Sequence, residues 1–155
     1  MKTSDSPAFV LRDPTLRPAI EMSGINYAFG EGESRKQVLF DNSLTVYPGE
    51  IVILTGPSGS GKTTLLTLIG ALRSIQEGSM KVLGEELKGL NAKGLQELRK
   101  GIGFIFQAHN LFESLTAFQT LALAMQLFPY SKGELKQRPV KILTELGLEE
   151  RIHYK

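Results

Sequence analysis

The run Gly56-Pro57-Ser58-Gly59-Ser60-Gly61-Lys62-Thr63-Thr64 holds the residues best suited to chemistry in this chain. Glycines at 56, 59 and 61 let a backbone wrap closely round an anion, so that successive N–H groups and the positive end of a following helix point at it. A lysine placed as Lys62 is reaches the β- and γ-phosphates of a nucleotide, and the hydroxyl of Thr63 is the protein ligand expected for Mg²⁺. Gly56, Ser58, Gly59, Ser60, Gly61, Lys62, Thr63 and Thr64 are therefore the candidate residues for binding the phosphates of a nucleotide with Mg²⁺. The competing reading is a glycine-rich turn that binds nothing. Sequence context argues against it, because the full pattern lies between an apolar run and a helical one.

The apolar run is Ile51-Val52-Ile53-Leu54, which predicts a strand buried on both faces of a parallel sheet. The helical one extends from Lys62 to Leu72, with Leu65, Leu66, Leu68, Ile69 and Leu72 at helical spacing. Upstream, Ala19 to Phe29 and Val38 to Val46 read as strands, the second ending at the turn pair Pro48-Gly49. Downstream, Gly78 to Leu83 reads as a short strand, and Asn91 caps a helix that stops at Gly101. Ile102 to Phe106 reads as a further strand. Thr116 caps a helix from Ala117 to Phe128, and a last helix runs from about Lys132 to Leu146 with Pro139 as a kinking interior residue. Residues 1–18, interrupted by Pro7, Pro14 and Pro18, read as a flexible arm.

A chain of 155 residues with 41% hydrophobic content supports one globular unit. The net charge of +2 gives no field of the kind that marks nucleic-acid binders, so nucleic acid is not the expected partner. The absence of cysteine excludes disulfides, thiolate metal sites and cysteine nucleophiles. The N-terminal residues lack a signal-peptide apolar core, and no apolar run approaches the ~20 residues of a membrane span. Membrane association would go through a partner rather than by insertion.

A phosphate loop alone spans kinases, GTPases, motors and transporters. Further stretches narrow the choice: INYAFGEG upstream, PGEIVILTGPSGSGKTTLLTLIGAL round the loop, QEGSMKVLGEEL after it, and IGFIFQAHNLFESLTAFQTL beyond. Together they resemble the ATPase subunits of ABC transporters, and within them the DevA-type exporter ATPases of cyanobacteria, related to the macrolide-export and lipoprotein-release ATPases. The resemblance runs from about Ile20 to about Tyr154. It implies an α/β P-loop NTPase core, incomplete here, with an N-terminal antiparallel β part and the start of a helical subdomain over residues 19–155. It also implies a subunit docked on membrane permease subunits at the inner face of the plasma membrane, dimerising on ATP to drive export; for the DevA type the cargo is an envelope glycolipid. By the same resemblance Phe29 stacks on adenine, with Tyr27 as the neighbouring candidate, although either ring could instead fill the core at a strand end. Gln107 matches the glutamine whose side chain contacts Mg²⁺ or the attacking water. The Leu-, Phe- and Met-rich stretch after it would receive the permease's coupling helix, with Phe112, Leu115 and Thr116 available to the partner.

Hydrolysis in that family also needs an Asp-Glu pair ending an apolar strand, a switch histidine and a signature loop contributed across the dimer. None can be assigned here. Aspartate occurs only as Asp5, Asp13 and Asp41, ahead of the phosphate loop. His109 reads as a loop residue and His153 lies in a charged tail, while Glu85-Glu86 and Glu149-Glu150 read as solvated turn charges. The expectation is therefore a chain cut off before its signature motif, able to bind Mg-ATP but not to hydrolyse it alone, with open sheet edges and a tendency to aggregate. The rival readings are a non-catalytic fragment that binds nucleotide or permease as a regulator, and a small-molecule kinase, which lacks its expected arginine-rich lid.

Overall fold

A computed structural model describes residues 16–107 and 111–155. Most of the arm, including Asp5 and Asp13, and also His109 lie outside the described residues. What is described falls into two compact units, divided between Gly103 and Phe104.

The first unit is built on a four-stranded antiparallel sheet. Its strands are β1 (Ile20–Phe29), β2 (Lys36–Val46), β3 (Glu77–Val82) and β4 (Glu85–Glu86), in the order β2-β1-β3-β4. Ile20 pairs with Val46 on one side and Val82 on the other, so β1 is the central strand on which the register depends. Alternation puts Met80 and Val82 of β3 inside. In β1 the register shifts after Met22, which lets both Met22 and Ile25 turn inward despite their odd spacing. Asn26 stitches this irregularity: its Oδ1 accepts from Gln37 Nε2 at 3.0 Å and from the Asp41 N–H at 2.9 Å. A glycine is needed at 78, where φ is +90° and a Cβ would lie 2.5 Å from the Gly24 carbonyl oxygen.

Helix α1 (Lys62–Ile69) packs Leu65 and Leu68 into the core with Met22, Ile25, Leu39 and Met80. It ends earlier than its apolar spacing predicts. Leu72 N–H donates to the Thr67 carbonyl and Ala71 N–H to that of Leu68, the paired bonds of a helix stop with Ala71 left-handed at φ 54°. Helix α2 (Ala92–Lys100) begins as predicted, with Asn91 Oδ1 accepting from the Gly94 N–H at 2.9 Å, and is stopped by Gly101. Leu98 is its buried anchor, and Arg99 Nε donates to the Ala71 carbonyl at 2.9 Å, fastening α2 to the end of α1.

Two predicted strands do not form. Ile51 to Leu54 carries no strand structure, and Ile51 is 92% exposed rather than buried on both faces. Ile102 to Phe106 is likewise without strand structure, with Ile105 at 97%. Apolar, β-branched sequence favours extension but cannot make a strand without a neighbour to complete its hydrogen-bond ladder. Every ladder among the described residues is antiparallel, joining β1 to β2, β1 to β3 and β3 to β4. Of the first run only Leu54 packs against the core.

The second unit is a helical hairpin of α3 (Ala117–Met125) and α4 (Lys132–Glu145), followed by a short 3₁₀ turn at Glu149–Arg151. Both helices open with reciprocal caps, Thr116 with Gln119 and Ser131 with Glu134. The first-turn N–H groups of Ala117 and Phe118 donate to the carbonyls of Tyr154 and Ile152 at 2.9 and 3.0 Å, so the chain's last residues complete the helix start. Helix α3 stops at Met125 instead of Phe128, because Leu127 and Phe128 tighten into i→i−3 bonds ahead of Pro129. Helix α4 runs unbroken through Pro139, whose ring is fully buried.

Candidate functional site

The phosphate loop takes the shape its glycines permit. Gly56, Gly59 and Gly61 have φ of 149°, 80° and 89°, values that side-chain-bearing residues rarely adopt. Gly61 is the N-cap of α1, and a Cβ there would sit 2.8 Å from both the Val38 carbonyl oxygen and Leu39 Cδ2. The loop is thus pressed against β2 at the one point where no side chain fits. Lys62 folds back over it, its ammonium donating to the carbonyls of Gly56 and Pro57 at 2.8 Å each and to Ser60 Oγ at 3.3 Å. Thr63 is exposed at the helix start, while Thr64 is buried and its carbonyl accepts from Thr67 Oγ1 at 2.8 Å.

Ser58 to Thr64 line a pocket of about 620 Å³ together with Phe29, Lys36 and Val38. That lining carries two lysines and no carboxylate, an electrostatic setting suited to a polyanion. The loop's glycine geometry, the lysine bonded only to neutral oxygens and the exposed side chain of Thr63 fit the phosphates of a nucleotide with Mg²⁺. The two aromatic candidates separate. Tyr27 is buried in the core, whereas Phe29 is 39% exposed and faces the pocket. Their rings meet edge to face, with centroids 5.2 Å apart.

Gln107 lies in the second unit as an exposed residue at a bend, preceded by Phe104 and Phe106, whose rings meet at a tilt with centroids 4.6 Å apart. The same unit holds an apolar groove of about 520 Å³, lined by Phe112, Leu115, Leu121, Leu143, Leu146 and Tyr154 among others. Phe112 is 61% exposed, but the Thr116 hydroxyl is occupied as a helix cap, accepting from the Gln119 N–H. Glu85-Glu86 departs from the expectation of solvated charges at its second member. Glu86 accepts from the Ser79 hydroxyl and from the N–H groups of Met80 and Lys88, and is a structural clasp between β3 and β4. Glu149, Glu150 and His153 are exposed.

The ABC transporter family model matches residues 39–155 of this chain. The chain belongs to the ABC transporter family. Among curated relatives, it is 41% identical over 132 residues to the methionine import ATP-binding protein MetN of Clostridioides difficile, covering 85% of this chain and 40% of MetN. It is 40% identical to the macrolide export ATP-binding/permease protein MacB of Hahella chejuensis, covering 89% of this chain and 21% of MacB. It is 37% identical to the lipoprotein-releasing system ATP-binding protein LolD 2 of Rhodospirillum rubrum, covering 88% and 60% respectively. The chain therefore spans less than two thirds of each relative's length. Among solved structures, the dimeric ATP-binding cassette MJ0796 in a post-hydrolysis state with ADP and Pi matches with a TM-score of 0.77 at 31% identity, over 86% of this chain and 60% of that one. The fold is that of an ABC ATPase over part of its domain.

Two residues round the pocket escape sequence reading. Lys36 faces Phe29 as its β1–β2 register partner, a relation visible only once the bulges of β1 fix that register. Arg73 stands beyond the helix stop and carries its guanidinium to 5.0 Å from the Phe29 ring centroid. No local motif marks either one.

Proposed function

We propose that this chain is the nucleotide-binding part of an ABC exporter of the DevA type, holding Mg-ATP in the pocket of the phosphate loop. The observation that carries this is the shared lining of that pocket: Phe29 stands beside Ser58 to Thr64 in one site. In this reading the backbone of Gly56 to Thr64 and the Lys62 ammonium hold the phosphates, and the Thr63 hydroxyl is the ligand offered to Mg²⁺. Phe29 stacks on the base. Mg²⁺ held there would supply charge to offset that of the phosphates. The residues of this chain bind and orient; no carboxylate downstream of the loop is assigned to positioning water.

The partners proposed are membrane permease subunits and a second ATP-binding subunit in a homodimer, which would place the protein at the cytoplasmic face of the membrane. Among the described residues no helix is long and apolar enough to cross a membrane. The groove between α3 and α4 supports permease docking, since an apolar concavity of this size is the surface into which a short partner helix fits. Macrolide export and lipoprotein release by MacB and LolD support export over import, against which stands the import assignment of MetN.

Titration of the chain with a fluorescent ATP analogue, with and without Mg²⁺, tests the nucleotide reading. Saturable binding displaced by unlabelled ATP is the expected result. Failure to bind at millimolar nucleotide overturns it.

A further inference from the structure

Arg73 is an exposed residue whose contacts all converge on one task. Its guanidinium carbon lies 5.0 Å from the Phe29 ring centroid. Its Nη1 donates to the Tyr27 hydroxyl at 3.5 Å, and its Nε to Thr67 Oγ1 at 3.2 Å. Thr67 in turn donates to the carbonyl of Thr64, a residue of the phosphate-loop pocket. A continuous path thus joins the loop's helix to the aromatic ring at the far side of the pocket. Gln76 steadies the same strand end, accepting from the Ala28 N–H at 2.8 Å and donating to the Ala28 carbonyl at 3.0 Å.

We propose that Arg73 is a positioning residue that holds the Phe29 ring by a cation–π contact and so presets the platform for the base of a bound nucleotide. The proposal rests on the nucleotide-binding reading above. A half-exposed phenylalanine at a strand end has a broad ring torsion, and stacking a base on it requires that freedom to be lost. The guanidinium over the ring and the T-shaped contact with Tyr27 remove it beforehand. The opposite consequence is equally specific: the phosphate loop does not depend on the ring, so ligands that have phosphates and no base gain nothing from Arg73.

Equilibrium binding of MgATP and of magnesium tripolyphosphate to the full chain separates these roles. Arg73→Ala is expected to weaken MgATP by roughly three- to fivefold, the size of an exposed cation–π contact, and to leave tripolyphosphate unchanged. Arg73→Lys, which keeps a cation, should recover much of the loss. In the background of Phe29→Ala, Arg73→Ala should cost nothing further, because its effect runs through the ring. Equal loss of both ligands, loss of neither, or an additive loss with Phe29→Ala overturns the role of Arg73 while leaving the nucleotide reading intact. A wild-type chain that binds neither ligand overturns both.

Discussion

The Lys62 ammonium lies 2.8 Å from the carbonyl oxygen of Gly56, closing a ring across the phosphate loop. With Pro57 and Ser60 as its other acceptors, every partner of this cation is neutral and belongs to the loop it would serve. A phosphate entering the pocket offers a charge-assisted bond in exchange for these weaker ones. Lys62→Ala should therefore lower MgATP affinity at least about tenfold, the smaller end of what a bond to a charged group contributes. Because Lys62 is solvent-accessible, its melting temperature should stay close to that of the parent chain. Unchanged affinity in a fluorescence titration would remove the phosphate loop from the function.

Gly61 and Gly59 share a left-handed backbone and differ in their surroundings, which makes them a matched pair. At Gly59 nothing lies within 4 Å of an added Cβ, so Gly59→Ala should cost only the left-handed conformation, about 1–2 kcal/mol. At Gly61 the Cβ meets the Val38 carbonyl and Leu39 at 2.8 Å, and overpacking adds roughly 1–3 kcal/mol more. Urea unfolding should thus rank Gly61→Ala below Gly59→Ala in midpoint. The reverse order would mean that the loop is not seated on β2.

The loop and two of the helix caps were legible in the sequence because their signals are local: glycines at fixed offsets, and Asn91 and Thr116 each at a helix start. Ile51 to Leu54 and Ile102 to Phe106 misled because a strand is a relation between segments, and composition reports only one side of it. Leu72 misled for a related reason, since apolar spacing persists past the point where Ala71 turns left-handed. Glu86 looked like half of a solvated acidic pair until β4 folded back to bring its carboxylate to Ser79 and Met80. Phe29 was separable from Tyr27 only by the strand's inside and outside, which the bulges in β1 make hard to count.

Leu143 and Pro139 are the buried members of α4, so the start of this helix should lean on its cap. Ser131 satisfies the Glu134 N–H, and Glu134 returns bonds to the Ser131 N–H and hydroxyl at 2.9 Å. Ser131→Ala should cost about 1 kcal/mol and should be seen as faster amide exchange in the first turn of α4, with the amides of β1 unaffected. Uniform loss of protection in both units would show that they unfold together.

Glu86 gives the fold a specific acid sensitivity. Partial burial raises the pKa of this carboxyl, but bonds from the Ser79 hydroxyl and the Lys88 and Met80 N–H groups, with the attraction of Lys81, outweigh it and leave the value below the ordinary 4.5. A carboxyl that holds its proton less tightly when folded contributes stability that is complete above its unfolded pKa and is lost as pH falls through the folded one. The clasp between β3 and β4 should therefore be at full strength near neutrality and weaken only below pH 4.5. Glu86→Gln keeps the shape and removes the titration. Compared by chemical denaturation, the parent chain should exceed the variant by a constant margin at neutral pH, and that margin should shrink in acid below 4.5. A margin that widened as pH fell would reverse the sign of the clasp and place the proton, rather than the charge, in its bonded state.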